Sequence, residues 1–555
     1  MTLEPKEAKL IKHIDVSASG MNCRMRMGDL TGDGRLDFVL VQPDTGFDTR
    51  YFPHSVLAAT AYSTDGEIMW QIGKPAYEDF ETSGDVPAQI YDIDRDGYNE
   101  FLCIMDGSFC VFDGKTGELK RRFELPDQYA HDGFAIADLE GVGYAKNIIL
   151  KNKFHQLWAL DQNFNVIWTY KGNIGRYPVV CDINGDGRDE IIAGNVVLDS
   201  EGNLLWEISG EDFPECIYAG DVGLSNEPVI FAGGKGANVY SADGSIKWAI
   251  NSDAMIQSAS FGNIRTDNFG MEIAGFFRDT PDSEYTNGIY LTDYHGNTLF
   301  KEKRTAYTDE EDVQCIYNFE GNRYENILVS SIDKKYIYDG YMNPLYVIEK
   351  EGKVFWADIL GDSQSQVIIY NERDIEIFAN DETDITKPLV ATPRPQSRRL
   401  YNYTDYCYRA MDNAKYAIGY VTGQFATPDI ELWAENCAAE DNEEIVKRAD
   451  FCVLLVSVLG ILSYSNETFF DVSKNDYFYS AVSTLKDMGY IDDIVGKFSP
   501  QAPVTAEFAI DIVQKAAGFT PLTTKSGEDE MTCRDIAKIT IQIIQNIKES
   551  VKGGF

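Results

Sequence analysis

Apolar residues in the first two thirds of the chain fall in short runs that acidic, glycine-containing turns separate. Residues 38–41, 101–104 and 191–193 are examples of such runs, and they have the length of strands rather than helices. Pairs such as Asp65-Gly66 and Asp243-Gly244 lie between further apolar runs, which is typical of β-hairpins. The pattern predicts repeated units of four strands, with an acidic turn between the first two strands and a hairpin between the last two.

The acidic turn recurs along the chain and sets the size of the unit. Full copies begin at residues 29, 92 and 182, and weaker copies begin at 138, 221, 263, 318 and 358, so the spacings run from 39 to 63 residues. A four-stranded propeller blade needs about 40 to 50 residues. The sequence therefore predicts an all-β eight-bladed β-propeller over residues 1–425, in which residues 8–18 form an outer strand that closes the ring with the last blade. We expect four tryptophans to pack between blades: Trp70, Trp168, Trp206 and Trp248.

The full copies of the turn have the spacing of a loop that binds a hard cation. Oxygen-bearing side chains alternate, a glycine permits a sharp turn, and a carboxylate follows, which is the chemistry of Ca²⁺ before Mg²⁺. The alternative is a β-turn that Asx hydrogen bonds stabilise without an ion. In either case the turns are predicted to be structural. The candidate ligands are Asp29, Thr31, Asp33 and Asp37; Asp92, Asp94, Asp96 and Glu100; and Asp182, Asn184, Asp186 and Glu190.

Charge and composition narrow the possible partners. The 89 acidic and 49 basic residues give a net charge of −40, which disfavours binding to nucleic acid and to anionic membranes. No apolar run approaches the length of about 20 residues that a membrane helix needs. The ten cysteines are scattered, as expected in a reducing compartment, and the first residues lack an apolar signal core. We expect a cytoplasmic protein, or one at the cell surface if a signal peptide has been removed.

The order of these segments resembles the rhamnogalacturonan lyases of polysaccharide lyase family eleven. The likeness spans about residues 20–425, and it is carried by the segments MGDLTGDGRLDFVLVQ, VLAATAYSTDGEIMWQIG, DIDRDGYNEFLC and DINGDGRDEIIAG. The resemblance implies an eight-bladed propeller that uses calcium and an acidic oligo- or polysaccharide substrate. The family's H-x-D-A-x-H segment, which supplies catalytic calcium ligands, corresponds to residues 251–256, where Asp253 is kept and both histidines are absent.

The altered calcium segment leaves the basic residues near blades three and four as candidates for catalysis. β-Elimination from a uronate needs a group that neutralises the carboxylate and a base that takes the α-proton. His131 or His155 could be the base, and Lys153 or Arg176, beside Tyr177, could be the neutralising cation. We expect at least two of these side chains to share one pocket.

Three functions remain open from the sequence. The first is a lyase that cleaves a uronate-rhamnose linkage, the second is a glycoside hydrolase on the same scaffold, and the third is a noncatalytic carbohydrate-binding propeller. The fold alone cannot choose among them.

The end of the chain changes to helical periodicity and predicts a mainly α-helical module over residues 426–555. The segments VKRADFCVLLVSVLGI, VTAEFA and MTCRDIAKITIQII resemble S-layer homology repeats, which bind anionic cell-wall polymer through a T-R-A-E motif. Arg448 and Arg534 match the arginine of that motif, whereas Ala506 replaces it. The alternative is a helical packing or self-association module.

Overall fold

A computed structural model describes residues 4–552 apart from a set of gaps. The gaps are residues 32–35, 45–54, 79, 81–85, 95, 97, 143–144, 153, 176–177, 211–213, 221–227, 263, 266–271, 279–286, 294, 305–311, 318, 321–324, 332, 358, 360–363, 381–433, 435–437, 439–444, 460–468, 473–477 and 492–495. The predicted boundary at residue 425 lies outside the described residues.

The chain begins with β1 (Lys6–Glu7) and β2 (Lys9–Asp15) and then forms four antiparallel sheets of four strands each. In chain order these are β3 (Arg24–Gly28), β4 (Asp37–Pro43), β5 (Val56–Tyr62) and β6 (Ile68–Gly73); β7 (Ala88–Tyr91), β8 (Glu100–Met105), β9 (Ser108–Asp113) and β10 (Leu119–Glu124); β11 (Gly133–Ala137), β12 (Asn147–Asn152), β13 (Gln156–Leu160) and β14 (Val166–Lys171); and β15 (Pro178–Cys181), β16 (Glu190–Ala193), β17 (Val196–Leu198) and β18 (Leu204–Glu207).

A seven-stranded sheet follows these four sheets. It contains β19 (Cys216–Gly220), β20 (Val229–Tyr240), β21 (Ile246–Ile256), β22 (Ser260–Gly262), β23 (Glu272–Arg278), β24 (Asn287–Thr292) and β25 (Thr298–Arg304). The fifth and sixth repeats join here because β21 runs on until Met255 and Ile256 pair with Arg278 and Phe277 of β23. The described residues thus form seven sheets, and the predicted eight separate blades stay a prediction.

The last two sheets use the beginning of the chain. β26 (Asp312–Tyr317), β27 (Glu325–Ser330), β28 (Lys335–Tyr338) and β29 (Pro344–Ile348) form one sheet, with β1 parallel to β29. β30 (Lys353–Ala357), β31 (Gln366–Tyr370) and β32 (Asp374–Ala379) form the other, with β2 antiparallel to β32. The prediction that an N-terminal strand completes the last sheet is therefore confirmed.

The sheets follow one another around a closed ring, as in a β-propeller. Neighbouring sheets contact each other through their first strands, as β3 does with β7 and β11 with β15, while every second residue of the fourth strands is exposed. The first strand of each sheet is therefore the inner one. Ile14, Phe38 and Tyr370 belong to one apolar core, so the first and last sheets pack together.

Tryptophans on the fourth strands connect neighbouring sheets, as predicted. The indole N–H of Trp70 donates to the carbonyl oxygen of Gly114 at 2.6 Å, that of Trp168 to Ser200 at 2.9 Å, and that of Trp206 to Ala242 at 2.9 Å. Gly114 and Ser200 lie in the hairpin between the third and fourth strands of the following sheet, and Ala242 lies in the hairpin between β20 and β21. Each hairpin also carries a glycine against the indole ring, because a Cβ there would lie within 3.0 Å of the ring; these glycines are Gly117, Gly202 and Gly244.

The C-terminal part contains α1 (Arg448–Leu459), α2 (Tyr479–Asp487), α3 (Ala506–Ala517) and α4 (Cys533–Lys552), which share one apolar core. Three backbone hydrogen bonds connect the segments before α1, α3 and α4 in a cycle. Val446 donates to Met531, Met531 to Val504, and Val504 to Val446, at 2.8–3.1 Å. The three repeat-like segments seen in the sequence therefore meet at one point.

Candidate functional site

The acidic turns and the two candidate catalytic histidines lie at opposite ends of the strands. In the third sheet, Ala137 pairs with Asn147 next to the acidic turn, whereas Gly133 pairs with Lys151 at the other end of the same two strands. We call the end that carries the turns the acidic edge and the end where each inner strand begins the entry edge. Because a strand separates the two edges, the acidic turns are not part of a site built around His131.

Seven of the acidic turns share one hydrogen bond from a backbone N–H group to a side chain. The donor is a backbone N–H at the start of the turn, and the acceptor is a buried side chain at or near the start of the second strand. Asp and Glu fill this position in four copies, and Asn or Gln fills it in three. The pairs are Leu30 to Asp37, Ile93 to Glu100, Leu139 to Asn147, Ile183 to Glu190, Ile264 to Glu272, Glu320 to Asn326 and Ile359 to Gln366. The common requirement is therefore an acceptor oxygen rather than a charge.

The third full copy of the motif, residues 182–190 in the fourth sheet, is called the third turn, and hydrogen bonds within the turn stabilise it. Asp182 accepts from the backbone N–H groups of Gly185 and Gly187 at 2.8 and 3.0 Å, and Asn184 donates to Glu190 at 2.8 Å. Among the described residues, no lysine or arginine contacts these carboxylates. Burial, reinforced by the charges of Asp182 and Asp186, raises the pKa of Glu190 to about 7. The turn has the oxygen donors that Ca²⁺ uses, and it also satisfies the alternative of an ion-free Asx turn.

The second turn contains an ammonium group among its carboxylates. Asp92, Asp94 and Glu100 each offer an oxygen within 4.8 Å of the others. Lys120 of β10 places its Nζ 2.6 Å from Glu100, 2.8 Å from Asp94 and 3.3 Å from Asp96. Burial raises the pKa of Glu100 to about 8, against the opposing effect of Lys120, and the carboxylates raise the pKa of Lys120. A divalent ion does not fit this turn while the ammonium lies there.

The first turn is described in part. Asp29 accepts from the backbone N–H of Thr31 at 3.1 Å, and Asp37 accepts from Leu30. Both aspartates are buried. Asp33 lies outside the described residues, so the predicted ligand set of this turn stays a prediction.

At the entry edge of the third sheet, His131 is buried next to charged groups. Its Nδ1 lies 2.8 Å from Oδ1 of Asp132, and the backbone N–H of Asp132 donates to the carbonyl oxygen of Lys151 at 3.3 Å. The exposed fractions are 5% for His131, 2% for Asp132 and 1% for Lys151. With the carboxylate of Asp132 beside Nδ1, proton transfer to a substrate would use Nε2.

His155 lies at the same edge of the third sheet but is exposed. It ends the turn between β12 and β13, and its carbonyl oxygen accepts from the backbone N–H of Gly172 at 3.0 Å. The other three candidates, Lys153, Arg176 and Tyr177, lie outside the described residues. The predicted shared pocket therefore stays a prediction.

Two buried arginines that sequence reasoning missed lie on β3, the inner strand of the first sheet. Arg26 donates from Nε to the carbonyl oxygen of Ala88 at 2.8 Å and so connects β3 to β7. Arg24 is 8% exposed, and within the described part of the chain its guanidinium donates to carbonyl oxygens and contacts no carboxylate. Two arginines within an otherwise apolar strand were the available signal, because charged residues are rarely buried without a reason.

An open groove of about 440 Å³ separates the first two sheets at this edge. Its lining includes Asp44, Ser55, Lys74 and Asp106. The segment that matches the family's catalytic calcium motif is the end of β21. There Ala254 and Ile256 are buried, and the side chain of Asp253 lies outside the described residues.

Comparison with known proteins supports the class of fold. A family model, the λ-carrageenase β-propeller domain, matches residues 178–307. Two solved structures have a similar fold: the exotype rhamnogalacturonan lyase YesX, with a TM-score of 0.52, and the Bacillus licheniformis rhamnogalacturonan lyase PL11, with a TM-score of 0.50. Both are 17% identical to this chain, and each alignment covers 74% of this chain and 80% of the other. The chain is a mostly β protein with a β-propeller fold.

Two sequence relatives come from Bacillus subtilis strain 168. Rhamnogalacturonan endolyase YesW is 26% identical over 255 residues, which is 35% of this chain and 41% of the relative. Rhamnogalacturonan exolyase YesX is 25% identical over 259 residues, which is 36% of this chain and 42% of the relative. The matches thus span about two fifths of the length of these relatives. None of the described helices is long and apolar enough to cross a membrane.

Proposed function

We propose that this protein is a polysaccharide or oligosaccharide lyase that cleaves a uronate-rhamnose type of linkage by β-elimination. The observation that carries the proposal is the buried His131–Asp132 pair at the entry edge, with a buried lysine, Lys151, in the same sheet. The relatives that are named rhamnogalacturonan lyases support the choice of substrate.

The proposed chemistry needs a base and a cation. Asp132 would hold the imidazole of His131 so that Nε2 takes the proton from the carbon next to the uronate carboxylate. The electron pair then forms a carbon–carbon double bond while the glycosidic carbon–oxygen bond breaks, and the leaving oxygen takes up a proton.

Arg24 is the proposed partner for the substrate carboxylate. A guanidinium binds a carboxylate in a bidentate manner, and a buried guanidinium that contacts no carboxylate among the described residues can provide both bonds. Neutralising the carboxylate lowers the pKa of the adjacent carbon acid, because the negative charge that develops in the transition state is stabilised. Lys153 and Arg176, which lie outside the described residues, remain the alternative cations.

Ultraviolet absorbance of the unsaturated uronate product tests the proposal. We expect absorbance to rise when the full chain is incubated with rhamnogalacturonan or with rhamnosyl-glucuronate fragments. His131→Ala should lower kcat at least about 100-fold, since a positioned general base contributes 10²–10⁴-fold. Arg24→Lys should mainly raise KM.

His295→Gln is the matched control, because His295 is a histidine in an exposed turn of β24 and β25 and should leave the rate unchanged. Release of reducing sugar without the unsaturated chromophore would favour a glycoside hydrolase. Binding without turnover would favour a carbohydrate-binding propeller.

The architecture proposed with this function is an eight-bladed propeller over residues 1–425 and a helical, S-layer-homology-like module over residues 426–555 that can mediate self-association. Calcium is proposed as a structural ion in the first and third acidic turns.

A further inference from the structure

Each fourth strand has a bulge at its second or third residue, near the hairpin. In the second sheet, Leu119 pairs with Phe112 and Arg121 pairs with Val111, which leaves Lys120 as the bulged residue. The same shift leaves Met69, Ile167, Leu205 and Lys247 at the equivalent position of β6, β14, β18 and β21. A bulge redirects a side chain out of the regular alternation of a strand.

At this position Lys120 contacts the second acidic turn, which lies 20 to 26 residues earlier in the chain. Its ammonium contacts Asp94, Asp96 and Glu100 at 2.6–3.3 Å. Glu100 is 1% exposed, so it needs a positive partner if it is ionised. The first and third turns have Met69 and Leu205 at the equivalent bulge, and neither of these side chains carries a charge.

We propose that Lys120 is a built-in cation: its ammonium takes the place of a divalent ion in the second acidic turn, so this turn folds without metal. The turn motif D-x-D-x-D-G alone thus does not decide whether a blade of this chain takes up calcium. The residue at the outer-strand bulge decides it for the second sheet. This inference does not depend on the proposed enzymatic activity.

Lys120→Met is the direct test, because methionine keeps most of the unbranched side chain without its charge and is the natural residue at the same bulge of β6. In the presence of EDTA we expect the Tm of this variant to fall by several degrees, since Glu100 loses its partner. Calcium should restore most of that loss, because an ion that binds the folded state stabilises it. Equilibrium dialysis should show one more Ca²⁺ per chain in the variant than in the wild type.

Lys146→Met is the matched control. Lys146 pairs with Glu140 at 2.7 Å in the acidic turn of the third sheet, where Glu140 is 46% exposed. This variant should lose little stability and should not gain a calcium ion. The proposal would be overturned if calcium raised the Tm of both variants equally. It would also be overturned if calcium did not raise the Tm of Lys120→Met and this variant bound no more Ca²⁺ than the wild type.

A double variant decides the case in which Lys120→Met does not fold in either condition. Adding Glu100→Gln removes the buried charge and keeps the acceptor oxygen for Ile93, as Gln366 does for Ile359. If the double variant folds in the absence of calcium, the proposal is supported, because the role of the lysine was then to neutralise Glu100. If the double variant stays unfolded, the proposal is overturned, because the turn then needs the aliphatic part of the lysine side chain and not its charge.

Discussion

Glu190 lies at the start of β16, where its two oxygens accept from the backbone of Ile183 and the amide of Asn184. It is buried and surrounded by aspartates, so its proton is held more tightly in the folded state than in the unfolded state. Asn147 and Gln366 occupy the same position in other turns without a charge. The role that all these residues share is to accept a hydrogen bond.

We therefore expect Glu190→Gln to remove a pH dependence of stability. The pKa of Glu190 is raised to about 7 in the folded state from 4.5, so the folded protein binds more protons than the unfolded protein between these values. The stabilisation is complete below the unfolded pKa and is lost as the pH rises through about 7.

In EDTA, Glu190 should contribute a fall in wild-type stability of about 2 kcal/mol between pH 5 and pH 8, after a discount for partial solvent screening. Urea unfolding of Glu190→Gln should therefore show a smaller fall than the wild type by about this amount, while Glu100, whose pKa is also raised, contributes equally to both proteins. A variant with the same slope as the wild type would show that Glu190 does not contribute to the pH dependence.

The hairpin glycines determine how closely neighbouring sheets approach each other. Gly202 has φ +82° and lies against the ring of Trp168, where an added Cβ would come within 2.6 Å of the indole. Gly185 has a similar φ of +78°, but nothing lies within 4 Å of its Cβ position. The two positions share a left-handed backbone and differ in the packing between sheets.

Gly185→Ala should cost about 1–2 kcal/mol, the penalty of the left-handed backbone alone. Gly202→Ala should cost about 2–4 kcal/mol, because the indole must also move. Denaturant unfolding of both variants measures the difference. Equal losses of unfolding free energy in the two variants would mean that the tryptophan ring moves at little cost and does not determine the spacing between sheets.

The sequence predicts most elements of the propeller because their signals are local. Asp-Gly pairs mark the hairpins, the acidic motif marks the turns, and the N-terminal strand could be assigned to the last sheet. The joining of β21 to β23 was missed because the motif spacing does not reveal that β21 continues past its own sheet. Lys120 was missed for a similar reason, since only the bulge brings it to the second turn.

The candidate site was predicted in part. His131 stands out as one of five histidines, and it does lie buried at the start of an inner strand. Arg24 and Arg26 were missed although they interrupt an apolar strand, and the contact of Arg26 with the carbonyl oxygens of Val86 and Ala88 in the next sheet is one that no local pattern encodes.

At the scale of the whole molecule, a net charge of −40 opposes an anionic substrate. Long-range repulsion lowers the rate of encounter, while a local buried cation such as Arg24 still favours the bound carboxylate. If the proposed lyase activity is correct, added salt should weaken the long-range repulsion and leave the local attraction by Arg24 nearly unchanged, because salt screens distant charges more than buried ones.

The kcat/KM for a polyuronate should therefore rise several-fold between about 0.01 and 0.1 M NaCl, as the Debye length falls from about 30 to 10 Å. A methyl-esterified substrate of the same length should show no such rise. A fall in kcat/KM for the polyuronate would indicate that attraction, not repulsion, governs its encounter with the protein.

The pairing of β2 with β32 has a consequence for synthesis on the ribosome. His13 and Asp374, whose side chains meet at 2.7 Å, are 361 residues apart. At about 5–20 residues per second, the nascent chain carries β2 without its partner for roughly 20 to 70 seconds. Six sheets can form in that time, but β2 has to wait for β32. A chaperone that binds nascent chains would therefore meet Ile14 and its neighbours uncovered until translation has passed residue 379.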